Sequence, residues 1–288
     1  MSTIDAVTIS CVIPAYNEEK NIQRVLDVVT TYSRFSEVIV VDDGSDDGTV
    51  QIAEAYHRSC PVLKIITLPK RNGKAGVIKR GVLESKGNLV VMLDSDLIGL
   101  TGENIDALIG AVMRKEADET VLDRAGDRTP VWGWTNCAKF FGGERAFWKE
   151  DFLGIDIPHD AGYLLEIISN LHYIQQGKTI RTIFCRNLFT VHQFNKMDMI
   201  TGIRNYIQMS VDIMRYATVP GFVKQFFFIE NENTHGLFLF YRNHPSLRPL
   251  SGLIIILLHL ADGISWFVVL NILRLIKLPV RLVRHFAQ

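Results

Sequence analysis

Between Thr8 and about Asp123 the chain alternates short β-branched runs with longer amphipathic stretches. That is the pattern of βαβ units laid around a mainly parallel sheet. It predicts strands near Thr8–Ile13, Glu37–Val41, Val62–Leu68, Asn88–Leu93 and Glu119–Leu122, with helices in the intervals. Ile22, Val25, Leu26 and Val29 recur at helical spacing after Glu18, and Ser45 and Asp46 are natural caps for the segment running to Tyr56. Regularity lapses from Arg124 to Trp134, where Gly126, Pro130 and Gly133 read as a loop of the kind that forms lids or acceptor sites. A helix is expected from about Gly162 to Gln176, with Leu164, Leu165, Ile168, Leu171 and His172 on one face and Gly177 as its stop. A strand over Thr179–Phe184 and a helix over roughly Met197–Tyr216 follow.

The carboxyl-terminal part differs in kind. From Leu253 to Leu273 nearly every residue is apolar, and Arg274, Lys277, Arg281 and Arg284 come after. About 20 apolar residues can span a bilayer. His259, Asp262 and Asn271 interrupt this stretch, and an Asp at mid-bilayer costs about 2.5–3.5 kcal/mol on insertion scales. The expectation is therefore an interfacial or re-entrant helix at a membrane surface, the alternative being a helix buried in a homo-oligomer. The division predicted is residues 1–218 as the α/β domain and 219–288 as a hydrophobic, membrane-associated helical extension.

Composition narrows the classes further. A chain of 288 residues with 48% hydrophobic content can bury a sizeable core. Its 31 basic and 31 acidic residues balance, which argues against nucleic acid as a partner. Cys11, Cys60, Cys137 and Cys185 are far apart and form no C-x-x-C pair, so they read as reduced cysteines in a cytoplasmic protein rather than a zinc or redox motif. No charged segment leads into an apolar core near Met1, so no secretory leader is expected and the amino-terminal domain is placed in the cytoplasm.

Candidate chemistry gathers where the strands stop. The run Asn88–Leu93 ends in Asp94-Ser95-Asp96, and residues i and i+2 of an extended chain project to one side. Two carboxylates leaving a strand together are a seat for a hard divalent cation. Glu37–Val41 also ends in acid, at Asp42-Asp43. In open α/β sheets ligands collect beyond the carboxyl ends of the strands, so the two acid-tipped strands outline one pocket. Lys70, Arg71, Asn72, Gly73 and Lys74 crowd positive charge and backbone donors into the turn after the third strand, where Gly73 permits close approach to a phosphate or base.

Four segments in order, Val12-Ile13-Pro14-Ala15-Tyr16-Asn17-Glu18-Glu19, Val40-Val41-Asp42-Asp43-Gly44-Ser45-Asp46-Asp47-Gly48-Thr49, Arg71-Asn72-Gly73-Lys74-Ala75-Gly76 and Leu93-Asp94-Ser95-Asp96, resemble a family 2 glycosyltransferase of GT-A fold. The resemblance is close over about the first 120 residues and continues less specifically to about residue 195. It implies a Rossmann-like, mixed but mainly parallel α/β sheet with flanking helices, carrying metal-dependent transfer of a sugar from a UDP- or GDP-linked donor to an acceptor hydroxyl or phosphate. It implies that Pro14, Tyr16, Glu18 and Asp43 line the nucleotide pocket with Gly73, Lys74 and Ser95. Asp94 would approach the ribose and the metal's water shell, and Asp96 would bind Mn²⁺ or Mg²⁺, with His192 as a further metal ligand.

The acceptor side rests on less. Gly142-Gly143-Glu144-Arg145-Ala146 resembles the family's G-x-R-A segment, which would put Arg145 on a phosphate. Direct displacement with inversion asks a carboxylate to take the acceptor proton. Glu150-Asp151 comes too soon after that segment, whereas His159-Asp160-Ala161-Gly162-Tyr163-Leu164-Leu165-Glu166 resembles the Gly-Tyr-x-x-Glu segment of a branch acting on phosphoglycerate. Asp160 or Glu166 is the candidate base or acceptor contact. That branch is retaining, so both stereochemical outcomes stay open. A lipid-linked acceptor such as a polyprenyl phosphate agrees with the apolar tail, and a small phosphorylated one with the Gly-Tyr-x-x-Glu segment. A sugar-phosphate nucleotidyltransferase would need a Gly-rich basic loop directly after the first strand, where this chain has Pro-Ala-Tyr-Asn-Glu. A non-catalytic nucleotide-sugar-binding scaffold is disfavoured by the intact Asp94 and Asp96.

Overall fold

The computed structural model describes residues 7–124, 142–158, 161–190 and 229–230. The loop expected beyond Arg124, the helix over Met197–Tyr216 and the apolar stretch Leu253–Leu273 lie outside those residues. Among the described residues no helix is long and apolar enough to cross a membrane.

In chain order the elements are β1 (Ile9–Ala15), α1 (Ile22–Val29), β2 (Phe35–Asp42), α2 (Thr49–His57), β3 (Leu63–Thr67), α3 (Gly73–Glu84), β4 (Leu89–Met92), β5 (Leu97–Ile98), α4 (Gly102–Met113) and β6 (Glu119–Arg124). Then come β7 (Arg145–Trp148), α5 (Lys149–Leu153), a 3₁₀ turn (Gly162–Leu164), α6 (Leu165–Gln175), β8 (Ile180–Cys185), β9 (Phe189–Thr190) and β10 (Ile229–Glu230). Eight strands form one sheet in the order β10-β8-β6-β7-β4-β1-β2-β3, while β5 and β9 make a separate antiparallel ribbon. Every neighbouring pair in the large sheet is parallel except those of β7, which runs antiparallel to both β4 and β6. β10 lies within the stretch read as a helical extension and pairs with the edge of β8.

The continuous apolar runs of the central strands reflect burial on both faces. In β1, Cys11 and Ile13 pack with Val25, Leu26 and Ile105 from α1 and α4, while Val12 between them points to the other side, toward Ile78 and Val82 of α3. The expected strands are present with ends displaced by one or two residues. α1 buries the four predicted residues Ile22, Val25, Leu26 and Val29. α4 is held at its start by a capping box between Thr101 and Asn104. α2 begins later than Ser45 and Asp46 implied, at Thr49, whose N–H donates to Asp47 Oδ1 at 3.0 Å. The helix expected from Gly162 opens as a 3₁₀ turn, and α6 buries Glu166, Ser169, Asn170 and Tyr173 beside its apolar residues, whereas Leu171 and His172 are only half-buried.

No predicted strand corresponds to β7. Four residues carry little local signal, and this segment is a strand because β4 and β6 supply partners on both its edges. Arg145, the first residue of β7, enters the core: it is 2% exposed, and its Nη1 bonds Glu119 Oε1 at 3.0 Å and Asn170 Oδ1 at 2.8 Å.

At the opposite end of the strands a second polar cluster fastens β1, β2 and β3. The buried Glu37 accepts from Ser10 Oγ at 2.6 Å, from the N–H of Lys86 and from the Lys64 ammonium, and Ser10 Oγ in turn accepts from the N–H of Gly87 at 2.8 Å. Burial alone would raise the Glu37 carboxyl, but Lys64, Lys86 and Ser10 outweigh it and hold the group below its ordinary 4.5. A carboxylate depressed in the native state stabilises above its ordinary value and loses that contribution as pH falls through the depressed one. Glu37→Gln is therefore expected to remove about 2 kcal/mol of stability at pH 7 and to flatten the loss of stability below pH 4.5. Urea unfolding at pH 7 and pH 3.5 measures both; equal stability of the two proteins at pH 7 would contradict it.

Candidate active site

The pocket forms where β1, β2 and β4 end. The turns after β1 and β2 are laced together: the N–H of Asn17 donates to Ser45 Oγ at 2.9 Å, that of Asp46 to Asn17 Oδ1 at 3.0 Å, and that of Glu18 to Thr49 Oγ1 at 2.8 Å. Asn17 adopts φ +54°, a left-handed conformation that Asn tolerates better than most residues, and this turns the chain back across β2. Asp42 is wholly occupied locally, accepting from the N–H groups of Gly44 and Ser45 and from Ser45 Oγ.

Asp43 reaches across to the basic turn instead. Its two carboxylate oxygens accept the N–H groups of Asn72 at 2.6 Å and Gly73 at 2.9 Å, capping the start of α3 where Asn72 itself gives no side-chain cap. Gly73 needs its hydrogen side chain for a φ of +74°. Its N–H is engaged by Asp43 rather than pointing at a ligand. Arg71 extends over the Tyr16 ring, Cζ lying 4.2 Å from the centroid. This cation–π contact closes one end of the cavity.

Beneath the other end lies a connected set of charges. Lys74 Nζ lies 2.9 Å from Asp94 and 3.0 Å from Glu166, and Arg124 Nη1 lies 2.7 Å from Glu144 and 3.8 Å from Asp94. Burial works against the Lys74 ammonium, but Asp94 and Glu166 raise it well above its ordinary range. Burial would likewise raise Asp94, but Lys74 and Arg124 outweigh it and hold that carboxyl low. Burial pushes Glu144 up to about 7 against the pull of Arg124, with the charge on Asp94 adding to the rise.

A cavity of about 280 Å³ joins these parts. Pro14, Tyr16, Glu18, Asp43, Gly73, Lys74, Asp94, Ser95 and Asp96, the residues predicted for the donor side, all line it, and Ala15, Arg71 and Val77 complete the wall. Glu166 does not line it but pairs with Lys74 behind the wall; it is 4% exposed, and its Oε2 has no hydrogen-bond partner. Arg145 is not brought there: the alternation of β7 aims it inward at Glu119 and Asn170, so the expected phosphate contact is replaced by a core ion pair. Asp160 and His192 lie outside the described residues. Asp151 pairs with Lys178 at 2.5 Å, away from the cavity.

Arg71 was read only as one residue of the basic turn, and its contact with Tyr16 singles it out. Two charged residues beside the site, Arg124 and Glu144, were not among the predicted set. Arg124 and Glu144 come together because β7 is antiparallel: its amino end emerges at the same edge as the carboxyl ends of β4 and β6.

Over residues 10–171 the sequence matches the model of the family described as glycosyl transferase family 2. The chain belongs to this family. Among curated relatives, the family 2 chain is 39% identical over 94 residues to a dolichyl-phosphate beta-glucosyltransferase of Trichomonas vaginalis, covering 30% of this chain and 28% of the relative. It is 38% identical over 99 residues to the dolichyl-phosphate beta-glucosyltransferase of Homo sapiens, covering 31% of each. The matched stretch thus spans about three tenths of these relatives. Among solved structures it resembles glucosyl-3-phosphoglycerate synthase from Mycobacterium tuberculosis in complex with Mn²⁺, UDP and glucosyl-3-phosphoglycerate, with a TM-score of 0.55 and 24% identity over 65% of this chain and 73% of that one. That likeness establishes the GT-A fold.

The donor set of the family 2 site fits a divalent cation with oxygen ligands. Asp94 and Asp96 present carboxylates to one cavity, which suits Mg²⁺ or Mn²⁺. Among the described residues no group of three His, Cys, Asp or Glu side chains could hold a metal by itself. Two carboxylates leave coordination positions for the oxygens of a bound diphosphate.

Proposed function

We propose that this protein transfers a sugar from a uridine-diphosphate donor to a polyprenyl-phosphate acceptor, with Asp96 and Asp94 holding Mn²⁺ or Mg²⁺. The observation that carries the donor half is the single cavity shared by Tyr16, Asp43, Lys74, Asp94 and Asp96. Tyr16 and Arg71 would bracket the base, and Asp43 and Asp94 would accept from the ribose. Lys74, which lines the same cavity, would face the diphosphate. The cation, when bound, would neutralise charge on the departing diphosphate.

The relatives named as acting on dolichyl phosphate support the acceptor half, and so does the state of Glu166. A carboxylate held by Lys74 is poorly placed to take a proton from a hydroxyl. A phosphate monoester has its second pKa near 6 and is largely ionised at pH 7, so its oxygen can attack without a side-chain base. Attack from the face opposite the diphosphate would invert the anomeric centre. The proposed setting is the cytoplasmic face of a membrane, where such an acceptor resides, with residues 219–288 as the anchoring part. A second reading, a small phosphorylated acceptor, is favoured by Glu166 of the Gly-Tyr-x-x-Glu segment standing 3.0 Å from Lys74 of the cavity wall.

Thermal shift against UDP-, GDP- and dTDP-sugars, each with Mn²⁺ and with EDTA, tests the donor half. A UDP-sugar at a hundredfold excess over its dissociation constant should stabilise by about 2.7 kcal/mol in Mn²⁺ and far less in EDTA. No shift with any nucleotide would remove the reading. Incubation of a radiolabelled UDP-sugar with polyprenyl phosphate or with 3-phosphoglycerate then separates the acceptors by the partition of label into organic solvent.

A further inference from the structure

Glu144 and Arg124 stand immediately behind Asp94 without lining the donor cavity themselves. Arg124 is the last residue of β6, and Glu144 directly precedes β7. The two backbones are joined there by the N–H of Leu122 donating to Glu144 O at 3.0 Å. The Glu144 side chain is fully buried and Arg124 is 9% exposed. Gly143 beside them is packed so closely that an added Cβ would lie 2.5 Å from Asp94 Oδ2 and 2.8 Å from Lys74 Nζ. The backbone of this segment is therefore the surface on which the Asp94–Lys74 pair rests.

We propose that Arg124 and Glu144 are positioning residues of the donor site, an ion pair that fixes Asp94, and through Asp94 the Lys74 ammonium, in the geometry that receives the donor diphosphate and its cation. The proposal rests on the donor-site reading above. Asp94 has Lys74 on one side and Arg124 on the other. With Arg124 removed, Asp94 would keep its contact with Lys74 but lose the cation on its other side, and the pair would be free to turn away from the diphosphate. Glu144 holds the other side of this arrangement: it pairs with Arg124 at 2.7 Å, leaving that guanidinium 3.8 Å from Asp94, and its own carboxyl hydrogen-bonds Asp94. Such a pair is a poor means of stabilising a fold, since apolar residues of similar size often do as well. Its placement behind a ligand-facing carboxylate gives it a use that stability does not.

The test is isothermal titration of the full chain with UDP in Mn²⁺, alongside Tm, for wild type, Arg124→Met, Glu144→Leu and the double variant. Each single variant leaves a buried group without its partner and should lower both Tm and affinity. The double variant removes both members of the pair and should recover much of that Tm, yet bind UDP roughly 10- to 100-fold more weakly than wild type, the loss usual when the partners orienting a ligand group are removed. Wild-type affinity in the double variant would overturn the positioning role while leaving the donor reading intact. A wild-type protein that binds no UDP would overturn both. Should the double variant not fold, Arg124→Lys carries the test, because it keeps a positive charge beside Glu144 but not the guanidinium that reaches Asp94; unchanged UDP affinity there would overturn the proposal.

Discussion

Asp96→Ala is expected to lower Mn²⁺-dependent sugar transfer by roughly a thousandfold, with Tm within about 2 °C of wild type. The size follows from what the carboxylate would do: a cation bridging the diphosphate stabilises charge that develops as the sugar leaves, an effect worth several kcal/mol. The small change in stability follows from its position. Asp96 is part-exposed in the turn between β4 and β5 and lines the cavity. Substitutions of part-exposed turn residues usually change stability by less than about 0.5 kcal/mol, or 1–2 °C in a domain of this size. Turnover within tenfold of wild type in Mn²⁺ would remove Asp96 from the metal site.

Arg145→Met should act in the opposite sense, lowering stability by about 3–5 kcal/mol while the folded fraction keeps its affinity for UDP and Mn²⁺. Glu119 is fully buried, and its Oε1 is held by Arg145 at 3.0 Å and Ser169 at 3.4 Å. Its Oε2 has no hydrogen-bond partner, and burial already raises this carboxyl despite the guanidinium beside it. Without Arg145 the charge is uncompensated, and a drop in Tm of roughly 10 °C is expected. Replacing Glu119 by Leu in the same protein should restore much of it. An unchanged Tm together with lost UDP binding would return Arg145 to the diphosphate.

These two residues mark the boundary of what the amino-acid sequence makes readable. Asp96 was accessible because its placement depends on local rules only: an apolar run sets a strand, and the residues after it emerge at the strand's end. The same holds for Tyr16, Asp43 and Lys74, each within a few residues of an element whose hydrophobic pattern is strong. The direction of Arg145 was not readable because it depends on β7, whose existence depends on β4 and β6 being already in place. Glu144 carried no local signal, as zero exposure and a partner 20 residues away are tertiary facts. Glu166 lay between these cases, its helix foreseeable and its ion pair with Lys74 not. Gly81 shows the same limit in the core, since only the packed structure reveals that a methyl group there would press on Val12 and Val41.

The order of strands in the sheet also governs when the site comes into being. β1 lies between β4 and β2, and β7, made much later, is inserted between β4 and β6. A growing chain that has just completed β5 already carries Asp94 and Asp96, but neither Lys74's second partner, Glu166, nor the segment on which Asp94 rests. Such non-local pairing delays assembly, because long loops must close before their contacts can stabilise anything. On the proposed function, affinity for metal and nucleotide would then be acquired late in synthesis. A ribosome-bound or truncated chain ending before β7 would expose its acidic strand ends without the geometry that makes them selective.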